Sequence, residues 1–352
     1  MRVVLANPPA FGGPDYDHQL ARALARLGAD VEVVTSHFRF GATPPEDGYR
    51  RSEIFYPLSS RVFGRSPLRI PLKAVEHPIG LARLWARKPD VVHLQWLAVP
   101  ELDTYAMRWR APAAFTAHDT LPRRAARNRA RWLRLLRRFD RVVTHSHRGR
   151  EQLAELGVDP ARLRVIFHPV HPSYPARTDD GRTLLCFGLI RPYKGLDDAI
   201  AAVKRIPNAR LLVAGDPMEP IERYQRAAGD RAEWRLGYLS LDEVERAYGD
   251  ATISLFPYRP ELDQSGALLR SLGAGVPAVA YDVGGLAEPI REFGAGRVVP
   301  QGDVEALAAA VQELLDDPQA LEEARAGARR ARDALTWDAS AQAHLDLYRE
   351  LV

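Results

Sequence analysis

Short β-branched runs and amphipathic stretches alternate along this chain. Arg2–Ala6 is apolar, and within Asp17–Leu27 the leucines at 20, 24 and 27 recur at i, i+4 and i+7, one face of a helix. Val31–Thr35 is strand-like again, and Val91–Leu94, Ala114–Thr116 and Arg141–Thr144 follow as strands with Arg- and Leu-bearing helices between them. Alternation of this kind predicts parallel sheets covered by helices. The pattern halts at His168–Arg182 (HPVHPSYPARTDDGR), where three prolines, two aspartates and a glycine suit a linker. It restarts with strands at Thr183–Phe187, Arg210–Ala214, Glu233–Leu236, Thr252–Phe256 and Ala278–Tyr281. Helices are predicted from Gly195, near Ile221, over Leu241–Tyr248 and near Leu268, and the last of the closing helices begins at Trp337. The expected division is residues 1–170, a linker over 171–182, residues 183–335, and a final helix over 336–352 packing back toward the N-terminal domain. Two doubly wound domains joined in this way predict a ligand cleft between them, at the C-terminal ends of the strands.

A chain of 352 residues that is 46% hydrophobic can support two cores, since single cores stop growing near ~250–300 residues. Its apolar runs are of strand length, far short of the roughly 18 residues of a membrane span. The opening MRVVLANPPAFGG reads as a first buried strand and not as a signal peptide. A single cysteine, Cys186, excludes an internal disulfide and lies in a strand-like run as a core thiol, so a cytoplasmic location is expected. No Cys/His cluster has zinc-site spacing. The net charge is +4, yet only four of the 49 basic residues are lysines. Arginine and alanine richness fits a GC-rich bacterial genome, which makes arginine abundance a poor sign of nucleic-acid binding. No nucleic-acid-binding motif is present, and nucleic acid is not an expected partner. No G-x-G-x-x-G follows the first strand, which argues against a dinucleotide-dependent dehydrogenase.

The segment FGLIRPYKGLDDAI (Phe187–Ile200) sets a strand, a loop with Arg191 and Lys194, and a helix opening at Gly195. A helix N-terminus supplies free N–H groups and partial positive charge, and two cations beside it suit a diphosphate. In LFPYRPELDQSGALLRSLGAGVPAVAYDVGGLAEPI (Leu255–Ile290) a strand ends at Pro257 and Gln264-Ser265-Gly266 begins a helix. Gly266 would let backbone approach phosphate oxygens closely. A second glycine loop, Asp282 to Gly285, would form a ligand wall.

These elements resemble the donor domain of GT-B glycosyltransferases, specifically the retaining group called family four. The motif pieces Gly188…Lys194-Gly195, Leu211–Gly215, Gly237, Phe256-Pro257, Gly275-Val276-Pro277 and Gly284-Gly285…Glu288 occur in the family's order. The N-terminal half adds Gly12-Gly13 after the first strand and the run Phe115-Thr116-Ala117-His118-Asp119. The resemblance implies an α/β fold of two facing Rossmann-like domains, the N-terminal one on the acceptor side and the C-terminal one holding a nucleotide-sugar donor. It implies that Lys194 and Arg191 hold the diphosphate, beside Gly188, that Gly12 and Gly13 approach the phosphates, that His118 lies near the transferred sugar, and that Gly237 and Tyr238 frame the base. The family's paired glutamates fall here on Leu262 and Arg270. Glu261 or Asp263 could replace the first. Arg270 has donors only and cannot replace a ribose acceptor one for one. Either Glu288 holds the ribose, Arg270 contacts phosphate, or the donor is unusual. The segment Gln264-Ser265-Gly266 is similar to a Q-S-G segment of one subgroup.

The implied activity is transfer of a hexose-type sugar from a nucleotide diphosphate sugar to an acceptor hydroxyl, with retention, without metal and with no other cofactor. The alternatives are a nucleotide-sugar epimerase of the same fold and a non-catalytic protein binding nucleotide or a partner. The acceptor is expected to be a sugar, a lipid-linked molecule or a small molecule. The stretch RRAARNRARWLRLLRRFDR (Arg123–Arg141) places Trp132, Leu133, Leu136 and Phe139 on one helical side. It reads either as a peripheral contact with the anionic inner face of the plasma membrane or as an ordinary amphipathic helix with a solvated basic face. His93 and Gln95, at a strand end, are further candidates for lining the cleft.

Overall fold

The computed structural model describes all residues except 11–13, 39–41, 62–68, 100–102, 105–108, 123–127, 172 and 260–263. The chain divides into two compact units: Met1–Phe167 with Trp337–Val352, and His168–Thr336.

The first unit is a parallel sheet of β1 (Arg2–Asn7), β2 (Asp30–Ser36), β3 (Arg50–Phe55), β4 (Val91–Leu94), β5 (Ala113–Thr116), β6 (Arg141–Thr144) and β7 (Leu163–Val165), in the order β3-β2-β1-β4-β5-β6-β7. The order reverses between β1 and β4, and at such a switch point the loops leaving the two strands diverge to leave a crevice. Helix α1 (Asp15–Arg26) buries Leu20, Ala21, Ala23 and Leu24. The last helix of the chain, Trp337–Arg349, buries Trp337, Ala341, Leu345 and Tyr348 in the same cluster. Each such large side chain contributes roughly 1.5–3 kcal/mol by leaving water, which ties the end of the chain to its beginning.

His93 of β4 belongs to that core. It is 0% exposed, its Nδ1 lies 2.6 Å from Tyr348 Oη and its Nε2 2.8 Å from Thr116 Oγ1. Burial holds the imidazole well below its usual range. The expectation that His93 lines a ligand site is therefore corrected: its position on a central strand turns it toward the C-terminal helix. The arginine-rich helix α2 (Arg129–Leu136) is N-capped by Asn128 and buries Trp132, Leu135 and Leu136, with Phe139 just beyond. Its apolar side thus packs on the unit's own core, and only its basic side faces water. No helix among the described residues is long and apolar enough to cross a membrane.

The second unit is a parallel sheet of β8 (Thr183–Phe187), β9 (Arg210–Gly215), β10 (Ala232–Leu236), β11 (Ile253–Phe256), β12 (Ala278–Tyr281) and β13 (Gly296–Val299), ordered β10-β9-β8-β11-β12-β13. Its switch point lies between β8 and β11. The described residues of 168–182 form no helix or strand, and Val170, Ser173 and Thr178 bond to this unit. Val170 donates to the Leu335 carbonyl, Ser173 to that of Gly273 and Thr178 to that of Gly249. Gly273 permits this approach, since a Cβ there would stand 1.9 Å from the His171 oxygen.

Candidate functional site

The loop leaving β8 and the loop leaving β11 meet at the second unit's switch point. Gly188 turns with φ +99°, followed by Arg191, a 3-10 turn over Pro192–Lys194, and Gly195 at φ +66°. A Cβ on Gly195 would lie 1.9 Å from the Pro257 carbonyl oxygen, so glycine is what lets the two loops touch. The half-buried Lys194 ammonium donates to the Phe187 carbonyl at 2.9 Å and lies 5.3 Å from the centre of the Tyr258 ring. Burial lowers its pKa, with Arg191 adding to the effect. Beneath it is a mainly apolar cavity of about 20 Å³, bordered by Cys186, Ile190 and Leu255, room for one water. Burial pushes the Cys186 thiol up to about 12, which removes it as a nucleophile.

Two helices begin near this point, and they differ. Helix α3 (Leu196–Arg205) carries Asp197 and Asp198 in its first turn, so its N-terminal charge is already met by carboxylates. That weakens the expectation of an anion at the helix opening by Gly195. Helix α4 (Gly266–Gly273) has no acidic residue in its first turn. Ser265 caps it by accepting from the Leu268 N–H at 3.3 Å, which leaves the Gly266 and Ala267 N–H groups outside the helix's own hydrogen bonds. A Cβ on Gly266 would meet nothing within 4 Å. Of the two, α4 is the better anion site.

Of the other sequence-derived candidates, Gly237 and Tyr238 follow a strand, while Arg270 and Glu288 stand on helices. Gly237 follows β10 at φ +110°, donates to the Gly215 carbonyl, and precedes Tyr238, which is 92% exposed. Gln264 Nε2 is 3.5 Å from the Gly285 carbonyl, at the limit of a hydrogen bond. Glu288 is half-buried in the first turn of the helix Ala287–Phe293. Arg270 stands one turn into α4, near the buried Tyr248, whose hydroxyl donates to the Ala267 carbonyl. Gly12, Gly13, Glu261 and Asp263 lie outside the described residues.

In the first unit, His118 follows β5. Its Nε2 is 3.3 Å from Gln95 Oε1 and its Nδ1 3.3 Å from Nε2 of the buried His145. The imidazole stacks on Trp96, with centroids 4.6 Å apart, and meets the edge of Tyr16 at 4.9 Å. Such sandwiching fixes a ring's plane. His145, Tyr16 and Asp17 are given no role by the sequence pattern. For Asp17 a signal exists, since a carboxylate occupies the helical face marked by Leu20 and Leu24.

Two family models match this chain: one described as Glycosyltransferase Family 4 over residues 15–174, the other as Glycosyl transferases group 1 over residues 181–317. The chain is 28% identical to a protein named glycogen synthase of Mycobacterium tuberculosis H37Rv, over 99% of this chain and 94% of the relative. It is 28% identical to a D-inositol 3-phosphate glycosyltransferase of Acidothermus cellulolyticus, over 95% and 84% respectively. Among solved structures, sucrose-phosphate synthase of Thermosynechococcus elongatus superposes with a TM-score of 0.76 at 20% identity, covering 100% of this chain and 99% of that one. HepE of Anabaena, in complex with UDP and glucose, superposes with a TM-score of 0.72 at 16% identity, covering 100% of both chains.

Proposed function

The chain belongs to the group 1 and family 4 glycosyltransferases, of GT-B fold, and we propose that it moves a hexose-type sugar from a nucleotide diphosphate sugar to an acceptor hydroxyl, with retention and without metal. One observation carries the donor reading. The Lys194 ammonium is half-buried at a switch point, it donates to a carbonyl, and no carboxylate among the described residues contributes to its electrostatics. A desolvated cation without a counter-charge is costly, and a diphosphate would supply that charge.

In this reading Lys194, Arg191 and the N-terminus of α4 at Ser265-Gly266 face the diphosphate. The C1–O bond breaks with its electron pair passing to the β-phosphate oxygen, and the acceptor oxygen bonds to C1 on the same face. The acceptor proton passes to the departing phosphate. Preorganised positive charge at the leaving oxygen is usually the largest catalytic contribution. Gly237 and Tyr238 frame the base, Glu288 takes the ribose hydroxyls that Arg270 cannot, and His118 orients the transferred sugar. Glu261 or Asp263 is assigned to the sugar hydroxyls. The exposed arginines of α2, Arg129 and Arg134 with Arg137 and Arg138 after it, would touch an anionic membrane through charge alone.

Names of relatives point to sugar and cyclitol chemistry, and a structural neighbour carries UDP, so UDP is the first donor nucleotide to test. Thermal melting of wild type and Lys194→Ala with UDP, GDP, ADP, CDP and dTDP tests the reading. One nucleotide is expected to raise the wild-type melting temperature and not the variant's. No shift with any nucleotide overturns the donor assignment.

A further inference from the structure

Asp17 is the least explained side chain of the first unit. It is 4% exposed in the first turn of α1, on the face of Leu20 and Leu24. Its Oδ2 accepts from Asn7 Nδ2 at 2.6 Å, and its Oδ1 has no hydrogen-bond partner among the described residues. Burial raises its pKa to about 7, with only the Asn7 contact opposing, and no arginine or lysine contributes. Leaving a buried carboxylate half-satisfied costs on the order of 1–3 kcal/mol, and a fold with no use for it would be more stable with an apolar residue there.

Beside Asp17 lies a cavity of about 20 Å³ at the C-terminal edge of β1, β2 and β3. His18, Thr35, Tyr49, Arg51 and Glu53 are among its lining residues. The space admits one water or one hydroxyl, not a ring. Its lining mixes donors and acceptors, with Tyr49 Oη 2.9 Å from His18 Nδ1. Asp17 and Glu53 face a single arginine here, so the lining does not favour a phosphate. A hydroxyl, which donates and accepts together, matches it. Tyr16, the residue before Asp17, touches the His118 ring, so the helix start that carries Asp17 also meets the group assigned to sugar positioning.

We propose that this cavity is an acceptor subsite in which Asp17 Oδ1 accepts a hydrogen bond from one hydroxyl of a polyol, a sugar or cyclitol. The assignment of that polyol as the acceptor rests on the transferase reading above; the binding itself does not. Asp17 selects for a hydroxyl at that position, because an analogue lacking it leaves the carboxylate unpaired.

The test is saturation-transfer NMR on the full chain with D-glucose and myo-inositol as probes, comparing wild type, Asp17→Asn and Val33→Ile. Asn keeps the side-chain shape and the Asn7 contact. Val33 lines the same cavity, and an isoleucine there takes up space while leaving the carboxylate in the chain. UDP melting is run on all three proteins. Wild type is expected to bind at least one polyol, and both variants to bind it at least about tenfold more weakly, a loss of about 1.4 kcal/mol. Both should keep the UDP shift. Equal polyol binding by wild type and the variants overturns the proposal, as does a wild type that takes UDP and neither polyol. A wild type that binds a polyol through Asp17 and no nucleotide supports this subsite and overturns the donor reading instead.

Discussion

His145 fixes the protonation pattern of His118. The His145 Nδ1 lies 2.8 Å from the Ile166 carbonyl oxygen, which can only accept, so Nδ1 carries the proton and Nε2 accepts. The neighbouring Nδ1 of His118, 3.3 Å away, is then the donor, and a neutral His118 presents Nε2 as an acceptor toward Gln95. The match is complete when the Gln95 amide turns its NH₂ to the ring, and that nitrogen otherwise lacks a partner among the described residues. A protonated His118 would instead donate to the Gln95 oxygen. Two charge states of one histidine thus correspond to two orientations of one amide.

His145 is accordingly a positioning residue. His145→Ala is expected to lower kcat by roughly tenfold, about the worth of one hydrogen bond. The apparent pKa seen in the kcat–pH profile should shift, with little change in KM for the donor. Steady-state kinetics across pH separates this from a purely structural role, which would leave the profile's shape unchanged.

Lys194→Ala should reduce turnover by about 10²–10³-fold, the scale of losing a preorganised charge at the leaving group. Lys194→Arg should restore little of it. A Cβ at Gly188 would already lie 2.9 Å from Nζ, and the planar guanidinium is wider than the ammonium. Full activity in the arginine variant would show that any positive charge suffices.

Two glycines of the candidate donor site should behave in opposite ways. Gly195→Ala combines a left-handed backbone with the clash against the Pro257 oxygen, and should cost roughly 2–4 kcal/mol of stability. Gly266→Ala meets open space and should leave the denaturant midpoint nearly unchanged, while the methyl obstructs the phosphate approach and weakens nucleotide binding. Urea melts and nucleotide titrations of both variants check the pair.

Asp17 should also be visible in the pH dependence of stability. Its folded-state pKa is raised from 3.8 to about 7, so between those values the native state binds more protons than the unfolded chain. Its contribution to stability therefore falls as pH rises through that window, at up to about 1.4 kcal/mol per pH unit. Asp17→Asn removes this slope. Urea melts of the two proteins at several pH values should show wild type losing ground relative to the variant between pH 4 and pH 7.

Central strands were legible in the sequence because both their faces are buried, as in β1, β4 and β12, which are mostly apolar (His93 being the polar residue inside β4). The outer strands β3, β7 and β13 were not. RRSEIF, LRV and GRVV are short or polar, since an edge strand is only partly covered. Most candidate donor residues of the second unit stand in two contiguous segments, Phe187–Ile200 and Leu255–Ile290, so their order along the chain carried the signal. The group around His118 draws on α1, β4, β5 and the turn after β6, more than a hundred residues apart. Only the sheet order brings Tyr16, Gln95, His118 and His145 together. Asp197 and Asp198 stand in the first turn of the helix at Gly195, and their charge bears on how well that helix start would receive a phosphate.

The return of Trp337–Arg349 to the first unit also sets a schedule for synthesis. A nascent chain emerging from a ribosome exposes β1, β2 and α1 long before the helix that covers their cluster exists. At ~5–20 residues per second, residues 168–352 take on the order of 10–40 s to appear. The second unit, continuous in sequence, can close its core within that interval. The first waits with Leu20, Leu24 and His93 uncovered until the last helix arrives, and it is there that a chaperone would find its grip.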